Sequence, residues 1–285
     1  MVGATAHLGC CEPVSAAGEP CRRTVLVTGA GNGLGAEIAM SAARSGWRVG
    51  VLDIDTAAAD RRATAIGDDA VALGADTTDE DAVDVALDRF AEITGQTAPD
   101  ALVCNAGIVR FGPLLEVSSA DWRTVVDVNL TGTFIAARGV ARRMIAEERA
   151  GAIVNITSMN GVAPGPNAGA YGATKAAIAR LTQQMALEWG PFGIRVNAVA
   201  PGLIDAGMSE AIYSDPEIRE RRSQRVPLGR LGTAAEVADT VMFLLSDQAT
   251  YITGAELLVD GGVTMSVINT LPRPRSVDSV GTGDR

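Results

Sequence analysis

Tyr171 and Lys175 stand four positions apart in the run Tyr171-Gly172-Ala173-Thr174-Lys175. Residues at i and i+4 share one face of a helix. An ammonium beside a phenol favours the phenolate, so the spacing predicts a tyrosine that titrates below its ordinary value of about 10. A hydroxyl tuned in that way exchanges a proton with an alcohol or a carbonyl near neutral pH. The same spacing also occurs in solvated surface pairs, so the chemistry depends on what the rest of the chain brings beside it.

A second group of residues suits phosphate. Thr24-Val25-Leu26-Val27 is an apolar, β-branched run that reads as a buried strand. It leads into Thr28-Gly29-Ala30-Gly31-Asn32-Gly33-Leu34-Gly35, and Ala36-Glu37-Ile38-Ala39-Met40 continues with helical character. Between a strand and a helix, such glycines allow a sharp turn and bring backbone N–H groups up to a pyrophosphate at the helix N-terminus. Gly29, Asn32, Gly33, Leu34 and Gly35 are the candidate residues of this loop. Arg48-Val49-Gly50-Val51-Leu52 then forms a second strand that closes on Asp53. A carboxylate there accepts two hydrogen bonds from a ribose diol and repels a 2′-phosphate. Ile54 follows where a phosphate-binding basic residue would otherwise stand, and Arg61 and Arg62 are expected to be solvated on the next helix. The expected cofactor is NAD, with NADP disfavoured.

With these residues in view, the chain resembles the short-chain dehydrogenase/reductase family over residues 23–263, with the motifs in the family's order. Thr28-Gly-x-x-x-Gly-x-Gly is similar to that family's cofactor loop. The resemblance implies that Asp76 and its neighbour Thr77 contact adenine, and that Asn105-Ala106-Gly107 lines the cofactor and steadies the central sheet. It implies that Asn129 holds a proton-relay water and that Ser158, thirteen positions before Tyr171, hydrogen-bonds the substrate oxygen. Pro201-Gly202 resembles the turn behind the nicotinamide, and the backbone of Ile204 is the expected anchor of its carboxamide. The chain departs from the family at Ala206, where a Thr or Ser is frequent, and at Gly207, where proline is frequent. The catalytic set implied is Asn129, Ser158, Tyr171 and Lys175, with Lys175 also holding the nicotinamide ribose.

These side chains need a scaffold. Strands alternate with helical segments along 285 residues, 47% of them hydrophobic, which implies one α/β, Rossmann-like, doubly wound domain with a parallel sheet flanked by helices on both faces. The expected boundaries are a flexible N-terminal arm at 1–22, the domain at 23–264 and a flexible C-terminal tail at 265–285. The polar stretch 203–231 after the cofactor turn is expected to act as a lid. Asn160, Met208 and Tyr213 are the substrate-side candidates beside Ser158 and Tyr171, with Val109, Phe111 and Asn167 also flanking the matched motifs. Asn160 and Asn167 equally suit turn backbones, and Arg110 is expected to be solvated. The helices at 121–148 and 171–189 resemble the pair that joins subunits in this family, which implies a homotetramer or homodimer.

A net charge of −10 argues against nucleic acid and anionic membranes as partners. No apolar run approaches the roughly 20 residues of a membrane span. The first residues lack a basic start followed by an apolar stretch, so a cytoplasmic location is expected. The sole histidine, His7, lies in the arm with Cys10, Cys11 and Cys21, at a spacing that fits no usual metal site. No metal is expected. The sequence reading is thus an NAD-dependent oxidoreductase of a small secondary alcohol or its ketone, with sugars, steroids, terpenoids, hydroxyacyl thioesters and xenobiotic alcohols all open. An NADPH-dependent β-ketoacyl reductase and a non-catalytic NAD(H)-sensing protein stand as alternatives. Asp53 speaks against the first, and the intact catalytic set against the second.

Overall fold

Short apolar runs between helices form seven parallel strands in the computed structural model, which describes residues 22–270. They are β1 (Thr24–Thr28), β2 (Arg48–Asp53), β3 (Ala70–Gly74), β4 (Ala101–Cys104), β5 (Gly151–Ile156), β6 (Ile194–Pro201) and β7 (Glu256–Val259). Their order across the sheet is β3-β2-β1-β4-β5-β6-β7. The expectations for His7, Cys10, Cys11, Cys21 and the rest of 1–21, and for 271–285, lie outside the described residues.

Ten α-helices lie among those residues: α1 (Gly33–Arg44), α2 (Thr56–Ile66), α3 (Glu80–Thr94), α4 (Ser119–Val126), α5 (Gly132–Ala146), α6 (Met159–Val162), α7 (Tyr171–Trp189), α8 (Glu210–Tyr213), α9 (Pro216–Ser223) and α10 (Ala234–Leu245). Strand side chains alternate between faces, so each central strand feeds two cores. On one face Val25, Val27, Val49 and Val51 pack with Ile38 of α1 and Val237, Val241 and Leu244 of α10. On the other, Leu26, Leu52 and Leu102 pack with Phe90 of α3, Met144 of α5 and Met185 of α7. Each such Leu or Phe contributes about 1.5–3 kcal/mol when fully buried.

The sheet reverses its winding between β1 and β4, which opens a crevice at the carboxyl ends of these strands. Side chains stitch the crevice floor. Asn105 Nδ2 donates to the carbonyls of Thr28 and Gly29, both at 3.0 Å. Thr28 Oγ1 accepts from the Asn105 and Ala106 N–H groups at 3.0 and 3.1 Å. The helical run expected at 121–148 is not one regular helix, since a π-helical turn, Asp127–Thr131, joins α4 to α5. The widened turn carries Asn129, in keeping with the frequent place of π-turns at functional sites. After β7 the chain continues into a 3-10 segment, Val263–Thr270, past the boundary expected at 264. The Asp260 carboxylate turns it there by accepting from Gly262 N, Thr264 N and Thr264 Oγ1. No helix among the described residues is long and apolar enough to cross a membrane.

Candidate active site

The crevice is a cleft of about 1140 Å³, and it gathers most of the residues singled out in the sequence. Gly29, Asn32, Gly33, Leu34, Asp53, Ile54, Asp76, Thr77, Asn105, Ala106, Gly107, Ser158, Asn160, Tyr171, Lys175, Pro201, Gly202, Ile204, Met208 and Tyr213 all line it. Gly35 and Asn129 are not on its wall. Gly35 sits behind the loop, where a Cβ would stand 2.2 Å from the Gly29 carbonyl oxygen, so only glycine lets α1 start against β1. Its part is packing rather than contact with a ligand.

At one end of the cleft Asp53 is anchored by backbone. Its Oδ2 accepts from Gly31 N at 2.9 Å and its Oδ1 from Asp55 N at 3.0 Å. Each carboxylate oxygen keeps a further lone pair for a hydroxyl. Asp76 Oδ1 accepts from the backbone N–H and the hydroxyl of Thr78, at 2.9 and 2.8 Å. Arg62 departs from expectation. It is half-buried, lines the cleft, and its buried Nε has no partner among the described residues. Only the exposed Arg61 behaves as a surface residue, 4.0 Å from Asp55. The sequence signal for Arg62 is its place four residues after Ala58, the residue that meets Gly31.

At the other end stand Ser158, Tyr171 and Lys175. Ser158 follows β5 and caps α6, accepting from Asn160 N at 3.2 Å. Tyr171 opens α7, which puts Lys175 one turn on with its side chain buried. Lys175 Nζ donates to the Ile156 carbonyl at 2.7 Å and lies 5.6 Å from the centre of the Tyr171 ring. Burial pulls the Lys175 pKa down from 10.5 to about 8, against the nearby Cys104, whose thiol burial pushes up to about 12. The Tyr171 phenol is not lowered as the spacing predicted. Burial raises it, and the hydrogen bond with Ser158 opposes that rise. The physical reason is burial: the loss of water costs the phenolate more than its surroundings return, and the Lys175 ammonium is committed to a main-chain carbonyl.

Asn129 is fully buried beneath Gly107. Its Oδ1 accepts from Ile108 N at 2.8 Å, and its Nδ2 donates to Ile108 O at 3.0 Å and Thr174 Oγ1 at 3.2 Å. Its carbonyl accepts from Thr133 Oγ1 at 2.6 Å. The side chain thereby ties α7 to the segment after β4, and a Cβ on Gly107 would lie 3.2 Å from Asn129 Oδ1 and 3.5 Å from Lys175 Nζ.

The stretch 203–213 closes one side. Gly207 has φ +58° and its Cα approaches Gly33, where a Cβ on Gly33 would come within 2.9 Å. Proline, with φ fixed near −65°, has no access to that backbone, which accounts for the departure from the family at this position. Tyr213 is buried, while Met208 is 53% exposed. Val109 and Phe111 join the wall. Asn167 does not; it has φ +60° and its carbonyl accepts from Gly112 N, so it serves the turn. Arg110 is exposed, 3.8 Å from Asp121. Ile212 and Arg222, both in the stretch expected to act as a lid, also line the cleft.

The donor set fits a dinucleotide. A fixed carboxylate pair marks one end, a glycine loop at a helix N-terminus the middle, and a serine–tyrosine pair backed by a lysine the other end.

A family model described as enoyl-(acyl carrier protein) reductase matches residues 29–264. Galactitol 2-dehydrogenase (L-tagatose-forming) of Cereibacter sphaeroides is 42% identical over 84% of this chain and 94% of its own length. The 2-(S)-hydroxypropyl-CoM dehydrogenase 3 of Xanthobacter autotrophicus is 39% identical over 84% of this chain and 96% of its own. Among solved structures, a 3-oxoacyl-[acyl-carrier protein] reductase with bound NAD from Brucella melitensis superposes with a TM-score of 0.77. It is 37% identical, covering 85% of this chain and 91% of that one.

Proposed function

Since the chain belongs to the short-chain dehydrogenase/reductase family and is an oxidoreductase of CH–OH groups, we propose that it interconverts a secondary alcohol and its ketone with NAD, Tyr171 being the acid/base. The observation that carries this reading is that Ser158, Tyr171 and the buried Lys175 line one cleft together with Asp53. The cofactor supplies or accepts the hydride when bound; everything else falls to side chains of this chain.

In reduction the Tyr171 hydroxyl gives its proton to the carbonyl oxygen, and in oxidation its phenolate, formed by passing that proton on toward Lys175, takes the hydroxyl proton of the alcohol. Ser158 donates to the same substrate oxygen and stabilises the charge that builds there. Lys175, with a pKa of about 8, gains and loses a proton near working pH, which suits a relay partner behind the tyrosine. Asn129 fixes the segment over Lys175 through both of its hydrogen bonds to Ile108. Asp53 favours a ribose diol over a 2′-phosphate, which supports NAD and speaks against an NADPH-dependent β-ketoacyl reductase. Asn32, Gly33, Leu34, Ile54, Asp76, Thr77, Asn105, Ala106, Pro201, Gly202 and Ile204 form the remaining cofactor wall. Exposed Trp122, Phe134 and Leu187 on α4, α5 and α7 support a homodimer or homotetramer built through those helices.

The experiment is reduced-nicotinamide absorbance on mixing the purified chain with NAD or NADP and a panel of secondary alcohols. Turnover with NAD supports the proposal. A preference for NADP overturns the cofactor assignment, and cofactor binding without any turnover favours a sensing protein.

A further inference from the structure

The helix α9 carries three arginines, Arg219, Arg221 and Arg222, and they differ in their partners. Arg219 is paired with Asp205 at 2.6 Å and donates its Nε to the Tyr213 carbonyl at 3.2 Å. Arg221 is exposed and lies 3.9 Å from Glu217. Arg222 pairs with no carboxylate among the described residues, although it is half-buried and lines the cleft. Its guanidinium lies over the ring of Tyr213, 5.6 Å from the centroid, and that ring is itself only 3% exposed.

Stacking uses the flat face of a guanidinium and leaves its in-plane N–H donors free. Those donors match two oxygens of a carboxylate, sulfonate or phosphate. The acidic residues on the cleft wall, Asp53 and Asp76, belong to the opposite end, beside the anchored glycine loop. Lys175 is committed to the Ile156 carbonyl. An arginine with no carboxylate partner among the described residues therefore lines the same cleft as Phe111, Met208 and Ile212, with its N–H donors open to an anion.

We propose that the substrate is a hydroxy acid, or its keto acid, and that Arg222 binds its anionic group while Tyr171 and Ser158 engage the reacting oxygen. This rests on the dehydrogenase reading of the same cleft and adds to it the class of substrate. Tyr213 acts as the platform that orients the arginine.

The test reads binding directly, so that it does not depend on turnover. Affinities of β-hydroxybutyrate, mandelate and hydroxycyclohexanecarboxylate are measured by calorimetry on the full chain, each against its own primary amide. The acids are expected to bind at least about tenfold more tightly than the amides, a difference that a bidentate ion pair supplies. Arg222→Gln removes that preference and leaves the amide affinities within about twofold, while Arg222→Lys keeps part of it. Equal affinity for acids and amides across the series overturns the proposal. So does an Arg222→Gln variant that weakens acids and amides alike, the result of a merely structural stack on Tyr213. Failure of every alcohol to be oxidised with NAD or NADP counts against the dehydrogenase reading and leaves the charge preference measurable.

Discussion

Replacing Lys175 by Met removes a buried ammonium whose cost shows in its titration. Burial lowers its pKa from 10.5 to about 8, so the folded chain sheds this proton well before the unfolded chain does. Below the folded value both states hold the proton, and the full penalty of burying the charge is present. Between the two values the unfolded state binds more protons, and stability rises with pH. Above the unfolded value the penalty is gone. From these two values, proton linkage gives wild type a gain of about 2.5 kcal/mol relative to Lys175→Met between about pH 7 and about pH 10. Any constant difference between the two side chains, such as the bond to the Ile156 carbonyl that neutral lysine retains, cancels from that change. Urea unfolding of both proteins, followed by far-ultraviolet circular dichroism at equal concentration and at both pH values, measures it. Stability curves that run parallel, within about 0.5 kcal/mol, refute the buried-ammonium account and with it the relay role assigned to Lys175.

Three other substitutions probe the rest of the cleft. Asp53→Ser deletes the charge that accepts from Gly31 N and opposes a 2′-phosphate; the ratio of NADPH to NADH affinity, read by fluorescence titration, should rise by about a hundredfold. Gly35→Ala forces a Cβ to within 2.2 Å of the Gly29 carbonyl oxygen and should cost about 2–4 kcal/mol in urea unfolding, with weaker NADH binding, because α1 must move. Asn129→Ala leaves the part-buried Ile108 N and O without their side-chain partners and should lower stability by about 1–3 kcal/mol, measured in the same way.

The parts legible in the sequence were those that local pattern dictates. Val25, Leu26 and Val27 alternate between two cores as a two-sided buried strand requires, and the glycines and Asp53 follow at the distances a strand–turn–helix unit imposes. Tyr171 and Lys175 do share one face of α7. What escaped depends on contacts remote in the chain. The rise of the Tyr171 pKa comes from burial by several elements, which the four-residue spacing does not encode. Arg62 looked like a surface residue because it stands in the charged run Asp60-Arg61-Arg62, yet its position on the Ala58 side turns it into the cleft. Arg222 sits in a run of charges, and only the fold shows that Arg219 and Arg221 pair with carboxylates while Arg222 pairs with none among the described residues. For Asn129 the resemblance pointed to a relay water, and the fold adds what no local pattern shows, two side-chain hydrogen bonds to the Ile108 backbone.

The measurement closest to the central claim compares wild type with Tyr171→Phe, which deletes one hydroxyl and keeps the ring that packs near Lys175. Single-turnover oxidation of a substrate found in the alcohol panel is followed by reduced-nicotinamide absorbance, with NADH affinity measured alongside by fluorescence. Loss of the acid/base group predicts a rate at least about a thousandfold lower, with NADH affinity within about threefold of wild type. A variant that keeps more than about a tenth of the wild-type rate contradicts the assignment of Tyr171 as the proton-transfer residue.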